Sequence, residues 1–206
     1  MNILSVGAGM VRTEGAVHLD RVDLPGIEIV WDLEKVPYPL GGGCWDVVLA
    51  KDILEHLDNV VECVDELNRV LKVGGRLVIR TSYWKSEASF RDPTHKRFCT
   101  EQTFDYWCPE TPTGAMFWWY TKTIFRKVAV RLDADSLWVE MEKVGEKGEK
   151  WRAEHAGRIF TDQAVVAEGA SEMERGKGGR GGGEDVEQGG QGHGPDGGSG
   201  KKVADV

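Results

Sequence analysis

No apolar run in this chain approaches the ~20 residues that a membrane-spanning helix needs, so no membrane partner is expected. Cysteine is scarce. Cys44, Cys63, Cys99 and Cys108 are the whole set, and they show no metal-ligand spacing. Reduced thiols, a cytoplasmic setting and no metal site are the expectations, and no signal-like segment stands before the first apolar run. Positive charge is in deficit, with 26 Lys and Arg against 34 Asp and Glu. The resulting net charge of −8 gives no support for non-specific nucleic-acid binding. Large apolar residues are nearly missing from Gly169 onward, where fourteen of the 27 glycines fall. Such a segment cannot bury enough surface to offset chain entropy. The expected organisation is one domain over residues 1–168 and a disordered Gly-rich tail over 169–206. The tail's RGKGGRGGG resembles nucleic-acid-binding Gly/Arg segments, but five positive and seven negative charges there argue against a polyanion grip.

What is present is most informative between Trp45 and Ile79. Val47-Val48-Leu49 is a short continuous apolar run, as a strand covered on both faces requires. From Asp58 the period changes. Val61, Val64, Leu67 and Leu71 recur at helical spacing, with Asp58 the expected N-cap and Gly74 the expected left-handed stop. Leu77 to Ile79 is the next strand. A strand, helix and strand in this order imply a parallel sheet with a right-handed crossover. Ligands of such sheets sit at the carboxyl ends of the strands. Here that end carries Ala50-Lys51-Asp52, with Glu55-His56 close behind.

Upstream, Ile3 to Val6 reads as a strand running into Gly7-Ala8-Gly9, where a backbone without Cβ atoms lets a ligand approach. Ala16 to Leu19 and Ile27 to Trp31 read as two further strands ending at Asp20 and Asp32. A carboxylate at the end of the second strand can accept from both hydroxyls of a ribose. Each of these residues also has a plain reading, as a tight turn for the glycines and as caps for the aspartates. Downstream, Lys127 to Leu132 and Leu137 to Val144 alternate around Asp133-Ala134-Asp135 and read as a β-hairpin. Residues 151–166 read as a helix or irregular cap.

The segments VGAG, HLD, WDLEKVPYP, WDVVLAKDILEHL and LNRVLKVGGRLVI, in that order, resemble the class I S-adenosylmethionine-dependent methyltransferases, in particular the methyltransferase type 11-like group. The resemblance spans roughly Asn2 to Pro109. It implies an α/β, Rossmann-like methyltransferase fold: a mostly parallel seven-stranded sheet with an antiparallel last strand. It also implies S-adenosylmethionine as cofactor and methyl transfer as the activity. By the same resemblance, Gly7, Ala8 and Gly9 line the methionine and ribose part of the cofactor. Asp20 holds the ribose hydroxyls, Asp32 and Leu33 frame the adenine, and Ala50, Lys51 and Asp52 face the methionine end. Two departures stand out. Only ten residues separate Gly9 from Asp20, which leaves room for about one turn of the family's first helix, and Val73 replaces the usual proline before the paired glycines.

Residues 81–120 hold eleven aromatics and the stretch FRDPTHKRFCTEQTF, which resembles the Asp-Pro-Thr-His motif of the same group. This segment is placed to fold over the strand ends as a lid. His95 is the expected general base, because histidine exchanges a proton near neutrality. Lys96 and Arg97 are candidates for an anionic substrate group. The plain alternative is a turn held by an Asp92–His95 hydrogen bond, with the aromatics in the core. For the whole chain, the leading expectation is a methyltransferase acting on a small molecule, a glycan or a lipid precursor. A methyltransferase-like binding or assembly protein without catalysis is the first alternative. A nicotinamide-dependent oxidoreductase is the second, weakened by Arg12 standing where its third glycine belongs. Oligomeric state is not legible.

Overall fold

A computed structural model describes residues 1–146. The expected cap over 151–166 and the tail over 169–206 lie outside the described residues. Seven strands form one sheet: β1 (Ile3–Val6), β2 (Ala16–Asp20), β3 (Ile29–Val30), β4 (Trp45–Lys51), β5 (Leu71–Ser82), β6 (Thr123–Asp133) and β7 (Ser136–Glu146). Their spatial order is β3-β2-β1-β4-β5-β7-β6. The first five run parallel, and β7 lies antiparallel to both of its neighbours. The strand order reverses at β1, since β2 and β4 flank it on opposite sides. That is the switch point where a crevice opens at the strand ends.

One substantial helix, α1 (Val60–Val70), crosses from β4 to β5. It buries Val64 and Leu67 of the expected stripe together with Cys63 and Val70, while Val61 is half-buried and Leu71 already belongs to β5. Each fully buried Val or Leu contributes about 1.5–3 kcal/mol. Its N-cap is Asn59 rather than Asp58: the Asn59 side chain accepts from the Glu62 N–H at 3.1 Å. Asp58 is engaged elsewhere, with its own N–H donated to Glu34. Gly74 does not end the helix either. The helix passes directly into β5 at Leu71, and Gly74, at φ +80°, serves the bulge that shifts register between Trp45 and Val47. The polar residues of α1 anchor the helix to its surroundings: Glu66 accepts from the Tyr38 N–H at 2.7 Å. Asp65 accepts from Trp107 Nε1, the Lys122 N–H and the Thr123 hydroxyl, at 3.1, 2.9 and 2.7 Å.

Among the described residues, one face of the sheet carries the core. Val48, Ala50, Leu77, Ile79, Val139 and Met141 are buried in a common core with Leu4, Leu67 and Phe125. The intervening residues Val47, Leu49, Val78, Trp138 and Glu140 are only half-buried. The continuous apolar run of β4 therefore does not mean equal cover on both faces. Among the described residues the connections from β1 to β2, β2 to β3 and β3 to β4 contain no helix, and the first falls short of the single turn expected.

Two short helices, α2 (Ala88–Arg91) and α3 (Pro112–Met116), punctuate the aromatic segment. It is neither all core nor all lid. Phe104 and Trp107 belong to the core, while Phe90 and Phe98 stack on each other at 4.6 Å and are largely exposed.

Candidate functional site

The carboxyl ends of β1 to β4 surround a cavity of about 610 Å³, lined by Gly7, Gly9, Asp20, Asp32, Leu33 and Asp52 among others. Two glycines serve it for different reasons. Both have positive φ, +58° at Gly7 and +53° at Gly9, a region that side chains disfavour. At Gly7 a Cβ would lie 2.3 Å from Ile53 Cγ1, so the glycine admits Ile53. At Gly9 a Cβ would meet nothing within 4 Å and would occupy cavity space. Ala8 between them is buried, donates its N–H to Leu19, and is not part of the cavity wall.

Asp20 is clasped by backbone. The Gly9 N–H donates to one carboxylate oxygen at 2.8 Å and the Val22 N–H to the other at 2.9 Å. A carboxylate offers about four acceptor positions, so each oxygen keeps one for a ligand hydroxyl. Asp32 accepts from the Glu34 N–H at 3.1 Å, and Leu33 beside it is buried apolar wall. Glu34 is a residue that sequence reading passed over. Its carboxylate accepts from the N–H groups of Asp58 at 2.5 Å and Asn59 at 3.2 Å, tying the β3 loop to the start of α1. No local pattern signals a contact that spans 24 residues.

Asp52 and Lys51 part company. Asp52, at φ +52°, lines the cavity with its carboxylate paired to the Arg80 guanidinium. Lys51 lines neither this cavity nor its neighbour. Lys96 and Arg97 both turn to Asp58: Lys96 Nζ lies 2.5 Å from its carboxylate, and the Arg97 guanidinium donates to its carbonyl.

A second cavity of about 590 Å³ adjoins the first through Asp52 and is lined by polar residues, including Arg80, Ser82, Arg91, Asp92 and His95. The Asp-Pro-Thr-His stretch forms a turn closed by the His95 N–H, which donates to the Asp92 carbonyl at 3.2 Å, while the side-chain partner of the Asp92 carboxylate is Thr94 rather than the His95 ring. The Thr94 hydroxyl and N–H donate to the Asp92 carboxylate at 2.7 and 2.8 Å and hold it below the usual carboxylate range. His95 Nε2 stands 3.9 Å from Asp92, too far for a hydrogen bond. The turn is fastened to the opposite wall by the Lys96 N–H, which donates to the Glu55 carbonyl at 2.8 Å.

Residues 10–79 match the protein family described as methyltransferase domain. No curated protein matches the sequence. Similar solved structures include an S-adenosylmethionine-dependent methyltransferase from Aquifex aeolicus, at 19% identity over 70% of this chain and 82% of that one, with TM-score 0.45. Another is a methyltransferase from Thermotoga maritima described as a possible histamine N-methyltransferase, at 14% identity over 69% and 82%, with TM-score 0.49. A third is the 1,6-didemethyltoxoflavin-N1-methyltransferase of Burkholderia thailandensis with its substrate and S-adenosylhomocysteine bound, at 16% identity over 69% and 70%, with TM-score 0.48. The mostly parallel seven-stranded sheet with its antiparallel last strand is the Rossmann-like methyltransferase fold that the sequence resemblance implied. Among the described residues no helix is long and apolar enough to cross a membrane.

Proposed function

We propose that this chain, whose residues 10–79 match the methyltransferase-domain family, moves a methyl group from S-adenosylmethionine to a small-molecule, glycan or lipid-precursor acceptor. The observation that carries the reading is the cavity at the ends of β1 to β4, with the Asp20 carboxylate held across its mouth by Gly9. Its residues fit the cofactor. Asp20 keeps acceptor positions for two ribose hydroxyls, and the wall at Gly9 has room that a Cβ would fill. Leu33 and Asp32 offer an apolar face beside a polar edge, suited to adenine. Gly7 and Asp52 lie where the methionine part belongs; Ala8 and Lys51 contribute backbone at most.

When bound, S-adenosylmethionine supplies a methyl group on a cationic sulfur, already a strong electrophile. The protein's task is positioning and exclusion of water. The second cavity, polar and joined to the first at Asp52, suits an acceptor rich in hydroxyl or other polar groups. His95 donates Nδ1–H to the Ser89 carbonyl at 3.0 Å, which leaves the Nε2 lone pair to take a proton from the acceptor.

A second reading, a binding or assembly protein without catalysis, draws on the missing helix after β1. Met10 and Val11 stand 78% and 70% exposed on that connection, which leaves the wall beside the cavity thin. Calorimetric titration of the purified chain with S-adenosylhomocysteine separates the two. Micromolar binding supports the enzyme, and absence of binding at millimolar ligand overturns it in favour of the second reading.

A further inference from the structure

Three side chains from two distant segments meet at the wall between the cavities. Glu55 lies in the single turn of 3-10 helix Leu54–His56, and His95 comes from the turn that packs across it. One ligand atom from each of Glu55, His56 and His95 falls within 4.8 Å of the others. The two imidazoles meet edge to face, with centroids 4.7 Å apart. His56 lines the first cavity and His95 the second, so the cluster is reached from both.

The hydrogen bonds around it define the protonation of both rings. Thr94 spends its one hydroxyl hydrogen on Asp92, so it can only accept from His56 Nδ1, at 2.9 Å. The Ser89 carbonyl can only accept from His95 Nδ1, at 3.0 Å. In the neutral rings both Nε2 atoms therefore carry bare lone pairs. This is the outer-sphere arrangement that orients metal-binding histidines, with the second nitrogen donating to a fixed acceptor.

Glu55 supplies an independent observation. It is 1% exposed. One carboxylate oxygen accepts from the Ser82 N–H at 3.2 Å, and the other, buried, has no hydrogen-bond partner. A buried carboxylate left half-satisfied is costly unless a positive charge meets it. Neither Lys96 nor Arg97 reaches it: the Lys96 ammonium is paired with the Asp58 carboxylate, and the Arg97 guanidinium donates to the Asp58 carbonyl. Arg80, the other nearby cation, is paired with Asp52.

We propose that Glu55, His56 and His95 form a divalent-cation site. Two imidazoles and one carboxylate suit first-row transition ions and leave coordination positions open. Those positions would take an oxygen or nitrogen of the acceptor in the second cavity, a role that rests on the methyltransferase reading. The cation would then occupy the lone pair assigned above to proton removal, and His95 would act on the acceptor through the metal.

The test is titration of the full, chelator-stripped chain with Co²⁺ alone, followed by visible absorption and calorimetry. The expected result is a single site, weakened roughly 10-fold or more in each of Glu55→Gln, His56→Ala and His95→Ala. Thr94→Val should weaken it by about 10-fold through loss of the ring-orienting contact. Circular dichroism of each variant confirms that the fold is kept, and Cys44→Ser, which removes the exposed thiol, should leave the site intact. No Co²⁺ site in the wild type, or a site indifferent to all four variants in the cluster, overturns the inference. Homocysteine-cofactor binding measured on the same samples reports on the methyltransferase reading separately. Cation binding without cofactor binding would leave the site standing and remove its proposed role.

Discussion

The Gly9 N–H donates to the Asp20 carboxylate across 2.8 Å, so the turn after β1 and the end of β2 hold each other at the mouth of the cavity. One hydrogen bond does work that a full helix after β1 would otherwise share, because that connection here contains only turns.

Asp20→Ala should therefore weaken S-adenosylhomocysteine binding by roughly 1.5–3 kcal/mol, the usual loss when a charged hydrogen-bonding partner is removed. Calorimetry checks this, and unchanged affinity would rule out a ribose contact at Asp20.

The two glycines of the first turn should respond differently. Gly7→Ala drives a Cβ against Ile53 at 2.3 Å and should cost about 1–3 kcal/mol of stability. Gly9→Ala meets only the strain of its positive φ, about 1 kcal/mol, yet it intrudes on the cavity. Denaturant midpoints should separate the pair in stability, and ligand titration should show the loss of affinity at Gly9→Ala.

Asp65 fastens α1 to the segment before β6 by accepting three hydrogen bonds. Asp65→Ala leaves Trp107 Nε1 and the Lys122 N–H without their acceptor. A loss of about 2–6 kcal/mol in urea unfolding is expected, from two stranded donors at about 1–3 kcal/mol each.

His95→Ala should lower turnover by about 100-fold or more while cofactor affinity stays near that of the wild type. Equal turnover would leave His95 a structural residue of the Asp-Pro-Thr-His turn.

Three buried thiols make the fold sensitive to alkali. Burial pushes Cys63 and Cys108 up to about 12 and Cys99 up to about 11. Unfolded thiols ionise near pH ~8.5. Above that value the unfolded chain releases protons that the folded chain retains, so stability falls as pH rises. The stabilising contribution is complete below pH ~8.5 and is lost progressively toward pH 11–12, by up to about 1.4 kcal/mol per pH unit for each thiol. Tyr38, also raised chiefly by burial, acts in the same direction. Urea midpoints between about pH 8 and 10 check the slope, and Cys63→Ala should flatten it. In the native protein a thiol reagent should label Cys44 alone, the only exposed cysteine of the four.

The strands were legible because apolar runs bounded by glycine and aspartate have few other readings; β1 coincides with its expected limits at Ile3 and Val6. Features decided by tertiary contact were not. Asp58 has the composition of an N-cap, but its N–H is taken by Glu34 and its carboxylate by Lys96, so the neighbouring Asn59 caps the helix. Gly74 follows the helix closely enough to look like its stop, yet it relieves a bulge against β4. At the site, Gly9, Asp20 and Leu33 could be named from their places at strand ends. The meeting of Glu55 and His56 with His95 could not, because it depends on a turn 40 residues away folding back across the 3-10 helix. The expectation of no metal site came from cysteine spacing, which says nothing about imidazoles brought together by the fold.

On the less covered face of the sheet, Arg76 of β5 reaches Glu140 and Glu142 of β7, both at 3.1 Å, and Arg126 of β6 also meets Glu142. Side chains alternate with a period of two, so sliding β7 by one residue would point Val139 and Met141 outward and carry both glutamates into the core. The charges act as an alignment key for strands whose hydrogen-bond ladders would accept either setting. Reversing Arg76 to glutamate should therefore broaden the amide spectrum of β5 and β7, a sign of mixed pairing, before it measurably lowers the melting temperature.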